Sequence, residues 1–336
     1  MIDIIQPGLL TSVQDLGRPG HRRLGINPGG ALNPLALSTA NLLVGNDVSA
    51  AGLEITMGAC ELRFTTDTRI ALGGDDFDAR LDDKFLAPYW STPVRAGQTL
   101  RLAHVGRGGA QGMRTCLAIA GGIDVPIILG SRSTDLKAGF GGHQGRALRK
   151  GDRLPLGDAG VKATGPAFGV RSPQWSGLSA QANDSSKLTT LRVLPGPEFE
   201  QFTVAARNTL WQDKWRITPN SNRMGYRLEG SELKRKQSRD LLSHGVVPGV
   251  IQVPPSGQPI ILMGDAQTTG GYPKIGVVIA ADMWKLAQAP LNGLLQLQLC
   301  DLEQALHAWE EQQRYLAHVE QTIAALGWSR ATQYRK

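Results

Sequence analysis

Apolar and polar residues alternate at a period of two between Leu53 and Leu102, and helical spacing takes over in a few segments only. The alternation predicts strands at Glu61–Phe64, Arg69–Leu72, Ala79–Asp82 and Thr99–Leu102, with a short strand before them at Ile2–Ile5 and a buried strand after them at Thr115–Ala120. In the second half strands are expected at Leu191–Leu194, Gly249–Val253, Pro259–Met263 and Lys274–Ala280. A first helix is expected after Asn33, an N-cap residue followed by Pro34 at the first helical position, with Gly45 as its stop. A shorter helix is expected around Glu198–Leu210. A long one runs from Asp301 to Leu326, with Leu302, Trp309, Leu316 and Ile323 recurring every seven residues and Leu306, Val319 and Leu326 beside them. Gln312 and Gln313 interrupt the second apolar positions, so the helix is expected to lie on its own domain or on a partner subunit rather than in a coiled coil.

Between the halves, Gly, Ala, Ser, Pro, Gln and Asn dominate and the period disappears. The expected organisation is an N-terminal β-rich subdomain (1–157), a linker or surface excursion (158–188), a second β-rich subdomain (189–300) and a C-terminal amphipathic helix (301–328). Composition agrees with short strands and many turns: 41 Gly and 19 Pro in 336 residues.

Other features narrow the function class. Cys60, Cys116 and Cys300 are far apart and form no Cys-x-x-Cys pair, which argues against a disulfide framework or a zinc knuckle and fits a reducing compartment. The opening MIDIIQPGLL lacks the pattern of a signal peptide, and no apolar run reaches membrane-spanning length, so the cytoplasm is the expected location. The net charge of +7 is scattered along the chain. It suits an anionic small molecule or an acidic partner better than nucleic acid. No P-loop, zinc-protease helix or nucleophile elbow occurs, the six histidines are dispersed, and Asp282-Met283-Trp284-Lys285 does not resemble a biotin-carrying segment. Neither a metal site nor covalent biotin is expected.

Four polar clusters remain, each set in turn-forming sequence. In Gln14–Gly20, Asp15 and Arg18 either bind an anion and orient a polar substrate or form a pair that fixes the turn. Gly130–Lys137 with Gly139–Gly145 reads either as a phosphate cradle or as a hydrogen-bonded loop. Pro219–Leu228 contains Asn222 and Arg223, part of it explained by the ease with which Asn occupies turns. Asp265–Lys274, directly after an apolar strand, offers a possible general base, two amide or hydroxyl positions (Gln267, Thr269) and a cation; the alternative is a strand-capping turn. His244, between Ser243 and Gly245, is a candidate proton carrier. The residues alone describe a β-rich, two-domain protein whose loops suit a small polar or anionic ligand.

The same clusters carry a family resemblance. SVQDLGRPGHRRLG (12–25), ALNPLALSTANLLVGND (31–47), LAIAGGIDVPIILGSRSTDLKAGFGG (117–142), NSNRMGYRL (220–228), LLSHGVVPGVIQVPPSGQPIILM (241–263) and DAQTTGGYPKIG (265–276) resemble the family of 5-oxoprolinase C subunits, of the allophanate-hydrolase subunit 2 type. That family is related to the carboxyltransferase part of urea carboxylase and to an antagonist of a sporulation-kinase inhibitor. The resemblance implies a mainly β fold with a few helices, built as two cyclophilin-like β-barrel subdomains plus the C-terminal helix. It implies one component of a hydrolase, active together with the B and A subunits as partners and inactive alone. The assembled enzyme would open the lactam of 5-oxo-L-proline to L-glutamate at the expense of ATP, with Mg2+. On this reading Asp15, His244, Asp265 and Lys274 serve catalysis, and Gln14, Arg18, Asn222, Arg223, Gln252, Gln267 and Thr269 bind substrate. A regulatory partner-binding role and a carboxyltransferase role in a biotin-dependent urea or allophanate system are the alternatives.

Overall fold

The computed structural model describes residues 1–104, 106, 112–160, 163–173, 188–237 and 241–328. The chain divides into two compact units: residues 1–18, 29–183 and 313–336 form one, and 19–28 with 184–312 form the other. Much of the stretch expected to be a linker, 161–162 and 174–187, lies outside the described residues.

The first unit contains β1 (Ile2–Pro7), β2 (Leu10–Gln14), α1 (Pro34–Leu43), β3 (Gly52–Thr56), β4 (Cys60–Phe64), β5 (Thr68–Gly74), β6 (Arg80–Leu81), β7 (Lys84–Phe85), β8 (Trp90–Val94), β9 (Thr99–Leu102), β10 (Arg114–Ile119), β11 (Arg153–Leu154) and β12 (Phe168–Gly169). Among the described residues these strands make two six-stranded sheets, in the orders β11-β1-β4-β9-β6-β7 and β12-β8-β5-β10-β3-β2. Both send side chains into one core: Ile2, Leu62, Phe64 and Leu100 from the first, Val13, Leu53, Ile70 and Leu117 from the second. The barrel-like half is therefore a pair of sheets closed over a shared interior. Phe168 pairs across to Ser91 and packs under Arg69, so this part of the expected linker is built into the sheet.

α1 begins as its sequence dictates. The Asn33 side chain accepts a hydrogen bond from Ala36 N at 3.0 Å, and Pro34 follows. The helix lies close against β5 at Gly73, where an added Cβ would stand 2.3 Å from the Ala36 carbonyl oxygen. Backbone, not a flexible side chain, blocks that space.

The second unit contains β13 (Leu188–Pro195), α2 (Val204–Gln212), β14 (Lys214–Ile217), β15 (Gly225–Glu229), β16 (His244–Gly245), β17 (Val250–Gln252), β18 (Ile260–Leu262), β19 (Thr269–Gly270), β20 (Lys274–Val278), α3 (Met283–Gln288), β21 (Leu294–Leu299) and the start of α4 (Leu302–Ala325). Seven of the strands close a barrel in the order β13-β20-β17-β18-β15-β14-β21, sealed by the parallel pairing of β13 with β21. Leu191, Trp215, Tyr226, Ile251, Ile261, Ile275 and Leu297 are buried along it. α2 starts later than expected. Thr203 caps it by accepting from Ala206 N, and Phe199–Gln201 forms a separate 3-10 turn.

α4 corrects the heptad reading. Ala308, Gln312, Val319 and Ile323 are buried, whereas Leu302, Leu306, Trp309 and Leu326 are exposed. The first half of the helix buries Ala308 and Gln312, whose amide donates to Ala281 O at 2.6 Å, and a count of large apolar residues cannot see that part of the face; the second half buries Val319 and Ile323, both among the expected apolar positions. Among the described residues no helix is long and apolar enough to cross a membrane.

Gly73→Ala will lower stability by about 1–3 kcal/mol, because the helix must move off the sheet; an unchanged Tm would contradict the close approach. Elsewhere in the same unit, the Arg146 guanidinium, bonded to both carboxylate oxygens, holds Asp152 down at about 2, against its ordinary value of 3.8. Its stabilising contribution is complete above the ordinary value and is lost as pH falls towards 2. Asp152→Asn will lower neutral-pH stability and flatten that acid limb in denaturation curves recorded against pH.

Candidate functional site

The sequence-predicted residues of the first unit turn out to be fastened to one another. The chain leaves β2 at Gln14 and turns at Asp15. The Asp15 carboxylate accepts from Gly17 N at 2.7 Å, Ser131 Oγ at 2.7 Å, Ser133 Oγ at 2.5 Å and Arg132 N at 2.6 Å. Ser133 Oγ accepts in turn from Asp15 N. Gln14 donates to Ser12 Oγ and Thr134 O, and buried Arg18 donates to Ser133 O while stacking over Phe140 at 4.7 Å. The hydroxyls that looked suited to a phosphate are thus spent on Asp15 and, through Thr134 Oγ1, on Val13 O. A carboxylate with this many donors locks a loop. The geometry assigns Asp15, Gln14 and Arg18 to loop construction, beside a cleft of about 240 Å³ lined by Leu16, Asp47, Ile127 and Arg132.

In the second unit, Arg223 and Asp265 form a two-point pair, Nε to Oδ2 at 2.8 Å and Nη2 to Oδ1 at 2.9 Å. Both side chains are at least 96% buried, and the Asp265 N–H donates to Arg223 O. The pair ties the loop before β15 to the loop after β18. Asn222, at the surface, accepts from Met224 N and shapes the first of these loops. Asp265 faces a permanent cation, so the geometry supports an anchoring role for it rather than that of a general base.

The remaining candidates converge on Lys274. It opens β20, opposite Gln252 of β17 in register. Its Nζ lies 2.9 Å from Gly270 O and 3.1 Å from His244 Nδ1. The two-stranded ribbon of β16 and β19 sets His244 against Gly270, so one short pairing delivers both neighbours. On its other side, His244 Nε2 stands 3.8 Å from Glu198 Oε1. Glu198 Oε2 accepts from the Lys274 backbone N–H at 2.8 Å. Burial lowers the pKa of Lys274, and the negative charge of Glu198 opposes that shift.

Gln252 completes the group. It is buried, its Oε1 receives Gln267 Nε2 at 3.4 Å, and its Nε2 has no partner among the described residues. Thr269, exposed, belongs to the ribbon strand that carries Gly270. The structure thus brings together His244, Gln252, Gln267, Thr269 and Lys274, and anchors the loop that bears two of them through Arg223 and Asp265.

Glu198 is the member that sequence reading missed. It sits in Gly196-Pro197-Glu198, directly after β13, where it reads as the start of a helix. The available signal was an acidic residue two positions past a glycine at a strand end.

The cluster sets an amide N–H without a partner among the described residues and an ammonium on paired strands, and it brings that ammonium within 3.1 Å of an exposed imidazole, a distance across which a proton can move. Among the described residues no three metal-ligating side chains come together.

The buried pair gives a test. Asp265→Ala removes the two-point carboxylate partner of buried Arg223 and should cost about 3–5 kcal/mol, whereas replacing both residues by apolar ones of similar size should recover most of it. A single variant as stable as the parent would show that the pair is not the anchor.

Comparison with known proteins places this geometry. The family model of the carboxyltransferase domain, subdomain A and B, matches residues 24–299. The C subunit of 5-oxoprolinase from Escherichia coli (strain K12) is 49% identical over 94% of this chain and 96% of its own length. The protein of the same name from Haemophilus influenzae is 38% identical over 96% and 99%. Among solved structures, the Kluyveromyces lactis urea amidolyase superposes with a TM-score of 0.83 at 30% identity, over 95% of this chain and 20% of that one. TTHA0988 superposes at 0.76 with 32% identity, over 88% and 55%. The chain belongs to the carboxyltransferase-domain family, alongside the C subunits of 5-oxoprolinase.

Proposed function

We propose that this chain is the C component of an ATP-dependent 5-oxoprolinase, acting in the cytoplasm with the A and B subunits to open 5-oxo-L-proline to L-glutamate. The observation that carries this reading is end-to-end likeness. The chain covers 96% of the E. coli protein at 49% identity, but only 16% of the urea amidolyase of Lachancea kluyveri. The Lys274 group supports it chemically.

A lactam is a poor electrophile, and its ring nitrogen is a poor leaving group. ATP, a co-substrate of the assembled enzyme, supplies activation of the lactam carbonyl by phosphorylation. The donors here fit the oxygen end of such a substrate: an amide N–H of Gln252 without a partner among the described residues, and the ammonium of Lys274. Both strengthen as negative charge gathers on that oxygen. When the ring C–N bond breaks, the nitrogen keeps the electron pair and needs a proton. Lys274, whose pKa is lowered by burial, is a better acid for that transfer than an exposed lysine. Gln267 orients Gln252, and the Arg223–Asp265 pair holds their loop.

A second reading keeps the site and changes the chemistry. The family description and the fit to urea amidolyase favour carboxyl transfer, in which the same donors would polarise a carboxyl group. The two readings separate in one preparation. The chain is co-expressed with the A and B subunits, and glutamate formed per ATP consumed is measured with and without excess avidin. Coupled turnover indifferent to avidin is the expected result; avidin-sensitive carboxylation would replace it. In the same assay Lys274→Met should lower kcat by about 10²–10⁴-fold. Full turnover by that variant would remove Lys274 from the chemistry.

A further inference from the structure

Glu198 touches both ends of the Lys274–His244 pair. One oxygen accepts the Lys274 backbone N–H at 2.8 Å, and the other faces His244 Nε2 at 3.8 Å. The turn that presents it is forced into place. Gly196 N donates to Ile275 O and Glu198 N to Lys274 O, so two backbone bonds lay the turn along the start of β20. A Cβ on residue 196 would lie 2.2 Å from Lys274 O, so a glycine is required for this approach. The carboxylate is almost fully buried, although its chain neighbour Glu200 is exposed and pairs with Arg207. Nothing in the folding of α2 needs a buried acid at 198, because Thr203 caps that helix.

We propose that Glu198 is a positioning residue that holds Lys274 and His244 as a proton path from solvent to the reacting nitrogen. For its lactam chemistry this rests on the 5-oxoprolinase reading above. The path balances. Lys274 Nζ gives a proton to the ring nitrogen as the C–N bond breaks. At rest Nδ1 of His244 accepts from the ammonium and Nε2–H faces the Glu198 carboxylate; once Nζ is neutral, the half-exposed imidazole takes up a solvent proton and passes the Nδ1 proton across 3.1 Å to Nζ. The imidazole ends in the tautomer in which it began, with its proton on Nε2. One solvent proton has moved, and no oxidant or reductant takes part. The charged and titratable groups that face Nζ come from β16 (His244) and from the turn after β13 (Glu198); Gly270 of β19 contributes a carbonyl.

The direction of the pH effect follows from charge. Glu198 favours the ammonium form of Lys274, so removing its charge lowers the pKa of Lys274 further. Glu198→Gln keeps the shape and the acceptor for Lys274 N–H and removes only the charge. Two measurements decide. In the chain alone, the 13Cε resonance of Lys274 is titrated in parent and variant; the variant should titrate at lower pH. In the complex with the A and B subunits, the variant should lose about tenfold in kcat with little change in KM, its alkaline limb should move to lower pH, and Glu198→Asp should recover part of the rate. An unmoved Lys274 titration overturns the inference, as does an unmoved alkaline limb at full kcat. A parent complex that forms no glutamate overturns the 5-oxoprolinase reading instead, and the Lys274 titration still decides whether Glu198 governs the pair.

Discussion

A lysine at the first position of a barrel strand, pointing where water is scarce, is a liability unless its ammonium finds acceptors. The second unit is organised around that constraint. Lys274 is met by a carbonyl from Gly270, an imidazole from His244 and, through the backbone and the field of its charge, by Glu198. Each partner arrives on a different piece of chain, and the closure of the barrel brings the pieces together: β13 beside β20, β17 beside β20, and the β16–β19 ribbon. Desolvation weakens the hold on the proton, and the partners keep that weakening within bounds. A proton that is held loosely, in a defined place, is what the proposed lactam opening would use.

Charge is used in opposite ways in different parts of the protein. Around Asp15, four donors are directed at one carboxylate, and the outcome is a fixed loop. The Arg223–Asp265 pair is similar: two charges satisfy each other in the dry interior and fasten two loops. Around Lys274 satisfaction is incomplete. Gln252 Nε2 lacks a partner among the described residues, and His244 stays half in solvent. Saturated polar groups build; groups with capacity left can take up a substrate.

Much of the fold was legible in the sequence. The period-two runs located β4 and β9 to within a residue and β5 to within two, the buried run Thr115–Ala120 fell on β10, Leu191–Leu194 caught half of β13, and Asn33-Pro34 marked the start of α1. The family motifs led to the mainly β architecture, and the barrel of the second unit bears that out. What could not be read had physical reasons. β14 and β21 do alternate, over Lys214–Ile217 and Leu295–Leu299, and were missed all the same; what no local pattern shows is that they close the barrel by pairing with each other and, for β21, with β13. The helix face of α4 depends on Ala308 and Gln312, which carry little hydrophobic signal. For the site, sequence named the right loops but could not tell occupied carboxylates from available ones, because that depends on donors more than a hundred residues away, such as Ser131 and Ser133 for Asp15. Glu198 was invisible for the same reason: its meaning lies in β20 and β16, not in its neighbours.

Where the lactam sits decides between this mechanism and any other. A structure of the complex with the A and B subunits, determined with 5-oxo-L-proline bound, tests this most directly. The ring carbonyl or nitrogen is predicted to lie within hydrogen-bonding distance, about 3 Å, of both Lys274 Nζ and the Gln252 amide. A lactam held by other residues, with Lys274 still turned toward Gly270 and His244 and out of its reach, would contradict it.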